Sequence, residues 1–316
     1  MFPKREEEML EQKFYVSEDL PKEFLLYEQQ VKQLRVGETG KTGAIKIALE
    51  RDLQTNKTVT KELFSKVPLQ VQKILYIEES LPQMAYVYLM SPSGGILQGD
   101  RLRIDIRLEN NAQAHVTTQA ATKVYRMNSN YATQMVNVFV GDNCYLELIP
   151  DQLIPYRNAR FYQRVKMQVH DSATAIYSEI ITPGRVASGE CFEYDICCFK
   201  TIATDQDSRL RFMDAFLLEP KREELFDGFG LGSKSVFANM YILTKSVDSK
   251  TLSDTVHNIL NKSSVNGSAS VLPRCDGISA RMIANTVQEI KNVVDIILNK
   301  IRKDVLSKPF TGVRKY

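Results

Sequence analysis

Arg101-Leu102-Arg103-Ile104-Asp105-Ile106-Arg107-Leu108-Glu109 alternates without a break between charged and aliphatic side chains. Successive side chains of an extended chain point to opposite faces, so a period of two marks a strand. Leu102, Ile104, Ile106 and Leu108 form its core face, and the charged residues are expected to look outward. Similar short runs, separated by Gly, Pro, Asn and Asp, lie on both sides, at 84–90, 115–119, 135–140, 144–149, 165–169, 175–181 and 235–243. From about residue 43 to 246 the chain therefore reads as an all-β body. No internal repeat of roughly 20 to 50 residues is visible, so self-similarity gives no reason to expect a solenoid.

The pattern changes near the end. Ile283, Val287, Ile290, Val294, Ile297 and Ile301 follow at steps of four and three, which is one apolar helical stripe. Gln288, Lys291, Asp295, Asn299 and Lys303 fall opposite, and Asp276 or Ser279 is the candidate cap. A shorter helix with Leu252, Val256, Ile259 and Leu260 on one side is expected before it, giving a helical region over about 251–304. The long stripe suits packing on the body and is long enough to serve a partner too. At the other end, residues 1–42 are charge-rich and show no period, so they are expected to be an extension before a domain at 43–316.

Composition excludes several classes. Lys and Arg number 41 against 38 Asp and Glu, and a net charge of +3 is too small to mark a nucleic-acid or anionic-membrane surface. No run is apolar enough to span a membrane, and the charged first residues lack the apolar core of a secretory signal. Five cysteines without a repeating spacing fit reduced thiols, so a cytoplasmic location is expected.

The glycine-rich segment Ser91-Pro92-Ser93-Gly94-Gly95-Ile96-Leu97-Gln98-Gly99-Asp100 is not a phosphate loop, because a strand follows it where a helix N-terminus and a Lys-Ser/Thr pair are needed. Its glycines allow a tight connection, with Asp100 held at the exit. Thr117 to Arg126 joins small residues and hydroxyls to a cation and reads as a buried turn. Pro150 and Pro155 mark an irregular connection in which Arg157 or Arg160 can pair with a carboxylate. Gly184 and Gly189 bound a turn that delivers Glu190. His115, His170 and His257 are scattered, and Cys197 and Cys198 would point to opposite faces of a strand, so no zinc cage is expected. No Gly-x-Ser-x-Gly elbow occurs. Gly228, Gly230 and Gly232 read as a loop rather than a nucleotide site.

Taken in order, these segments form a pattern. Gly94, Gly95, Gly99 and Asp100 are followed by Ala121, Lys123, Tyr125 and Arg126, by Pro150, Asp151, Ala159 and Arg160, and by Gly184, Arg185, Gly189 and Glu190. The series resembles the UreD family of urease accessory proteins, called UreH in some lineages. Resemblance covers about residues 43–316, including the closing Val313-Arg314-Lys315-Tyr316, and the first 40 or so residues have no counterpart in the shorter members.

The resemblance implies a mainly β, two-layered β-helical body with two C-terminal α-helices. It also implies a hetero-oligomer with UreF, recruitment of the GTPase UreG, and nickel in transit to the urease apoenzyme, with no cofactor bound permanently and no reaction catalysed. A relay must release its ion. Imidazole and thiolate hold nickel strongly, whereas isolated carboxylates and water let it go. Asp100, Asp151 and Glu190 are accordingly expected to line the interior, with Thr122 adding a hydroxyl. Two other readings stay open. One is a carbohydrate-active β-helix enzyme with Asp100 and Glu190 as acid and base, which the absence of Trp disfavours. The other is a metal-independent all-β interaction scaffold.

Overall fold

The computed structural model of the chain describes residues 12–15, 17–28, 40–222, 236–313 and 315. Gly228, Gly230 and Gly232, Arg314 and Tyr316, and most of the charged extension lie outside these.

Two sheets face each other across one apolar core. The seven-stranded sheet runs Leu210–Leu218, Ile196–Thr204, Arg160–Val169, Ala132–Val140, Arg101–Glu109, Thr42–Asp52, Lys57–Lys66, its five inner strands parallel. The ten-stranded sheet runs Asn266–Val271, Gly277–Ala284, Val236–Leu243, Thr174–Ile181, Tyr145–Leu148, Gln113–Thr118, Ala85–Met90, Gln70–Val71, with Thr122–Val124 and Leu153–Pro155 paired beside it. Between Ala85 and Thr204 the chain lays strands on the two sheets in alternation, which makes a β-solenoid of about 4 turns. The expected two-layered β-helical body with two C-terminal helices is what the chain forms.

Stacking of like residues holds the turns together. Ile104, Val136 and Val165 stand side by side, as do Ile106, Val138 and Met167, and all are buried in the common core. Branched aliphatic side chains suit such a pleated, fully buried surface. The turns differ in length: Leu102 lies beside Gln134, then Gln163, then Phe199, spacings of 32, 29 and 36 residues. An uneven period hides a solenoid from any search for a fixed repeat.

The alternation of 101–109 holds, but its charged face does not look into water. Asp105 is completely buried and accepts from Arg103 Nε and from Asn137 Nδ2. Arg103 in turn donates to the carbonyl of Phe14 at 3.0 Å and stacks under the Phe14 ring. The cover comes from the N-terminal extension. Its 3₁₀ turns at Gln12–Tyr15 and Lys22–Tyr27 lie across the outside of the seven-stranded sheet, burying Tyr15 and Phe24, the latter among Tyr131, Tyr162 and Cys198. Cys197 faces the inner core while Cys198 faces this outer cluster, the opposite placement expected of neighbours on a strand.

Helix α1 (Ser249–Asn261) starts at Asp248, whose carboxylate accepts from the Thr251 N–H. Helix α2 (Val287–Leu306) starts at Thr286 in a capping box with Glu289. The expected start was therefore too early: Ile283 belongs to strand Gly277–Ala284, and neither Asp276 nor Ser279 caps the helix. Only Asn285 separates that strand from Thr286, and the Thr286–Glu289 pair satisfies the first N–H groups. Both helices pack on the outside of the ten-stranded sheet, with Val256, Leu260, Ile290, Val294, Ile297 and Ile301 against Ile176, Ile180 and Met240. Among the described residues no helix is long and apolar enough to cross a membrane.

Candidate functional site

A cavity of about 330 Å³ lies inside the solenoid between the sheets. Gly94, Gly95, Thr118, Gln119, Thr122, Lys123 and Asp151 line it, together with Gln134, Gln163, Tyr177 and Glu179. A second, outer cleft of about 640 Å³ shares Gln119 with it and is walled by Leu75, Ile77, Tyr88, Thr311, Gly312 and Lys315.

The polar group inside the cavity comes from positions that strand alternation directs inward. Gln134 and Gln163 occupy neighbouring turns, and Gln134 Nε2 donates to Gln163 Oε1 at 3.0 Å. Gln163 Nε2 reaches the Tyr177 hydroxyl at 3.3 Å and Glu179 Oε2 at 3.4 Å. Tyr177 OH also donates to Glu179 Oε2 at 2.9 Å, and Asn239 Nδ2 to Oε1 at 3.1 Å. Burial outweighs these donors and pushes the Glu179 carboxyl up to about 7. Glu179 is thus a carboxyl poised between neutral and charged, buried at the wall of the cavity with two amides and a phenol.

The residues expected to line a passage divide into two sets. Thr122 and Asp151 do face the cavity. Lys291 and Lys315 each donate to Asp151, and although its burial acts the other way, they hold the carboxyl below its ordinary value. Asp100 and Glu190 are not among the lining residues. Asp100 accepts from the N–H groups of Lys41 at 2.9 Å and Leu97 at 2.8 Å, one to each oxygen, and so braces the glycine turn, while burial raises its carboxyl. Glu190 is engaged on both oxygens by Arg185 and also accepts from the Arg157 N–H, and the Arg185 bond lowers its carboxyl.

Of the other motif residues, Gly94, Gly95, Ala121, Lys123 and Pro150 line the cavity and the rest lie outside its lining. A Cβ on Gly95 would sit 2.6 Å from the Tyr125 ring and 2.7 Å from the Lys123 carbonyl, so only glycine admits Tyr125 there. Tyr125 meets Tyr156 edge-on, and Arg185 covers the Tyr156 face at 4.2 Å. Arg160 pairs with Asp195 at 2.7 Å, one of the ion pairs the sequence allowed. Gly189 takes φ 77° to close the short turn before Glu190. Gly94 and Gly99 have φ of 80° and 76° in the first turn, and Arg126 is exposed. Among the described residues no three His, Cys, Asp or Glu side chains gather as a metal-binding group.

Glu179, Gln134 and Gln163 were missed by reading motifs. The signal was present: Gln134 sits in phase with Val136, Val138 and Val140, and Gln163 with Val165 and Met167. A polar residue on an otherwise apolar, buried face marks either a partnered group or a lined space.

Fold and site together define a β-solenoid with a polar-tipped cavity between its sheets and a helical flank. The model of the family described as UreD urease accessory protein matches residues 41–315, and the chain belongs to that family. A urease accessory protein UreD of Cenarchaeum symbiosum is 42% identical over 284 residues, spanning 90% of this chain and 99% of its own. Urease accessory protein UreD 2 of Brucella canis is 35% identical over 289 residues, 90% of this chain and 95% of its own. The UreD of Photorhabdus laumondii is 32% identical over 287 residues, 90% and 89% of the two chains.

Proposed function

We propose that this chain serves urease maturation as a non-catalytic conduit, in which nickel passes through the cavity between the sheets on its way to the urease apoenzyme. UreF and the GTPase UreG are its proposed partners in a cytoplasmic complex, with nickel as cargo rather than a resident cofactor. The observation that carries this reading is Glu179, a buried carboxyl facing an internal space beside Gln134, Gln163 and Tyr177. One carboxylate with neutral oxygen donors offsets part of a dication's desolvation, and it binds weakly enough to release the ion. Asp151 and Thr122 extend the oxygen-lined surface, while Asp100 and Glu190 hold the turns that shape it.

The test uses cells lacking only this chain, complemented with wild type, Glu179→Gln or Asp151→Asn at limiting nickel. Copurification of the accessory complex is expected to persist in both variants, and urease activity to fall several-fold. Wild-type activation by Glu179→Gln would refute the conduit.

A further inference from the structure

Both carboxylate oxygens of Asp151, in the cavity wall, are occupied by ammonium groups. Lys291 Nζ, on α2, reaches Oδ1 at 2.6 Å. Lys315 Nζ, on the segment beyond α2, reaches Oδ2 at 2.8 Å and the Thr117 hydroxyl at 2.9 Å. Lys315 also walls the outer cleft, which meets the cavity at Gln119. The Lys315–Asp151 pair therefore stands between the two spaces. Asp295, on α2, and His115 lie within electrostatic reach of these groups.

The two lysines are held differently. Lys291 is fixed on a helix packed against the sheet. Lys315 follows a left-handed cap at Ser307, and the intervening segment is tied down by the Phe310 N–H on Asn299 Oδ1, the Thr311 hydroxyl on Glu78 and the Phe310 ring against Arg302. Gly312 has a positive φ of 87° with nothing within 4 Å of where a Cβ would stand, so the chain turns there, between Phe310 and Val313, which pack on the helix cluster. An ammonium is a compact monovalent cation with three donors, suited to hold a place at a carboxylate that a hydrated dication would otherwise take. Desolvation pulls the Lys315 ammonium below its ordinary pKa, with Asp151 acting against it.

We propose that Lys315 is a tethered cation closing the cavity at Asp151, and that a divalent ion passes between cavity and outer cleft only when this ammonium is displaced. The inference rests on the conduit reading above. Of the two ammonium groups, Lys315 is the one that leaves, because lifting it disturbs a short segment rather than a packed helix.

The experiment compares full-length Lys315→Met, Lys315→Gln and Lys315→Arg with Glu179→Gln, each assembled with the urease apoenzyme and its accessory proteins. A nickel(II) salt is supplied at limiting concentration, and the activation rate and the melting temperature of each variant are read. Lys315→Met and Lys315→Gln are expected to speed activation by up to about tenfold, the effect of one charge on a dication a few ångströms away in wet surroundings. Lys315→Arg restores the wild-type rate by refilling the position, and melting temperatures stay unchanged. Lys315→Met and Lys315→Gln at or below the wild-type rate, with Glu179→Gln slowed, overturn the gate and leave the conduit standing. Glu179→Gln at the wild-type rate sinks the conduit, and the gate with it.

Discussion

Arg302, near the end of α2, donates from Nε to Glu147 Oε1 and from Nη2 to Oε2, each at 2.7 Å, and neither side chain touches solvent. The two residues are 155 positions apart. Arg302 Nη1 also reaches Glu78 at 2.5 Å, Tyr86 and Tyr145 hydroxyls donate to the same two carboxylates, and the His115 ring closes on Glu147 at 2.6 Å. Burial would raise the Glu147 carboxyl, but Arg302 and His115 prevail and hold it down at about 2. One buried ionic network thereby fastens the last helix to the outside of the solenoid.

Removing the Arg302 cation leaves Glu78 without its guanidinium and Glu147 with only the His115 ring and the Tyr145 hydroxyl. Arg302→Met is expected to cost about 3–5 kcal/mol, read as a fall in the urea midpoint. Glu147 is depressed on folding, so its contribution is present above its unfolded pKa near 4.5 and lost as pH falls through about 2. The gap between wild type and variant should therefore narrow as pH drops from 4.5 toward 2. A loss below about 1 kcal/mol at neutral pH would show that the network does not fasten the helix.

Glu179 predicts the opposite pH trend. Its folded pKa of about 7 lies above the unfolded 4.5, so folding favours the proton; this stability is complete below 4.5 and is lost as pH rises through about 7. Glu179→Gln keeps the neutral form and should gain on wild type by up to ~3 kcal/mol between pH 4.5 and 8. Parallel stability curves for the two proteins would contradict a buried, proton-favouring site.

The glycine turns give a steric prediction. Gly95→Ala places a methyl group against a ring and a carbonyl at distances no Cβ tolerates, so a loss of about 1–3 kcal/mol is expected. Gly189 has only its positive φ to satisfy, with nothing near its missing side chain, so Gly189→Asn should cost less than Gly95→Ala. Melting temperatures of the two variants decide the order.

Asp19 ties down the N-terminal strap. It accepts from Arg164 at 3.0 Å, Lys200 at 2.8 Å and the Tyr162 hydroxyl at 3.2 Å, and against the effect of burial these cations hold its carboxyl down at about 2. Asp19→Ala should free the strap, making the exposed Lys22 a faster tryptic site than in wild type. The same release should appear in wild type as pH falls from about 3.8 toward 2, read by a pH-tolerant protease. Equal cleavage rates would show that apolar contacts of Phe24 alone hold the segment.

The sequence by itself determined the features that neighbours along the chain decide. Period-two alternation at 101–109 set a strand, glycine spacing set the turns at 94–99 and 184–189, and the stripe from Val287 to Ile301 set the last helix. Even the polar intruders Gln134 and Gln163 were legible as out-of-pattern residues on apolar faces. The start of α2 was misjudged because Ile283, on an adjacent strand, continues the helical spacing by coincidence. Only the tertiary structure decided which carboxyls face the cavity. Asp100 and Glu190 spend their oxygens on local turns, Asp151 meets lysines 140 and 164 positions away, and Glu179 is held by side chains from two other strands and from its own. A carboxyl's charge depends on the water and counter-charges around it, and unequal solenoid turns bring those together from segments that no local pattern connects.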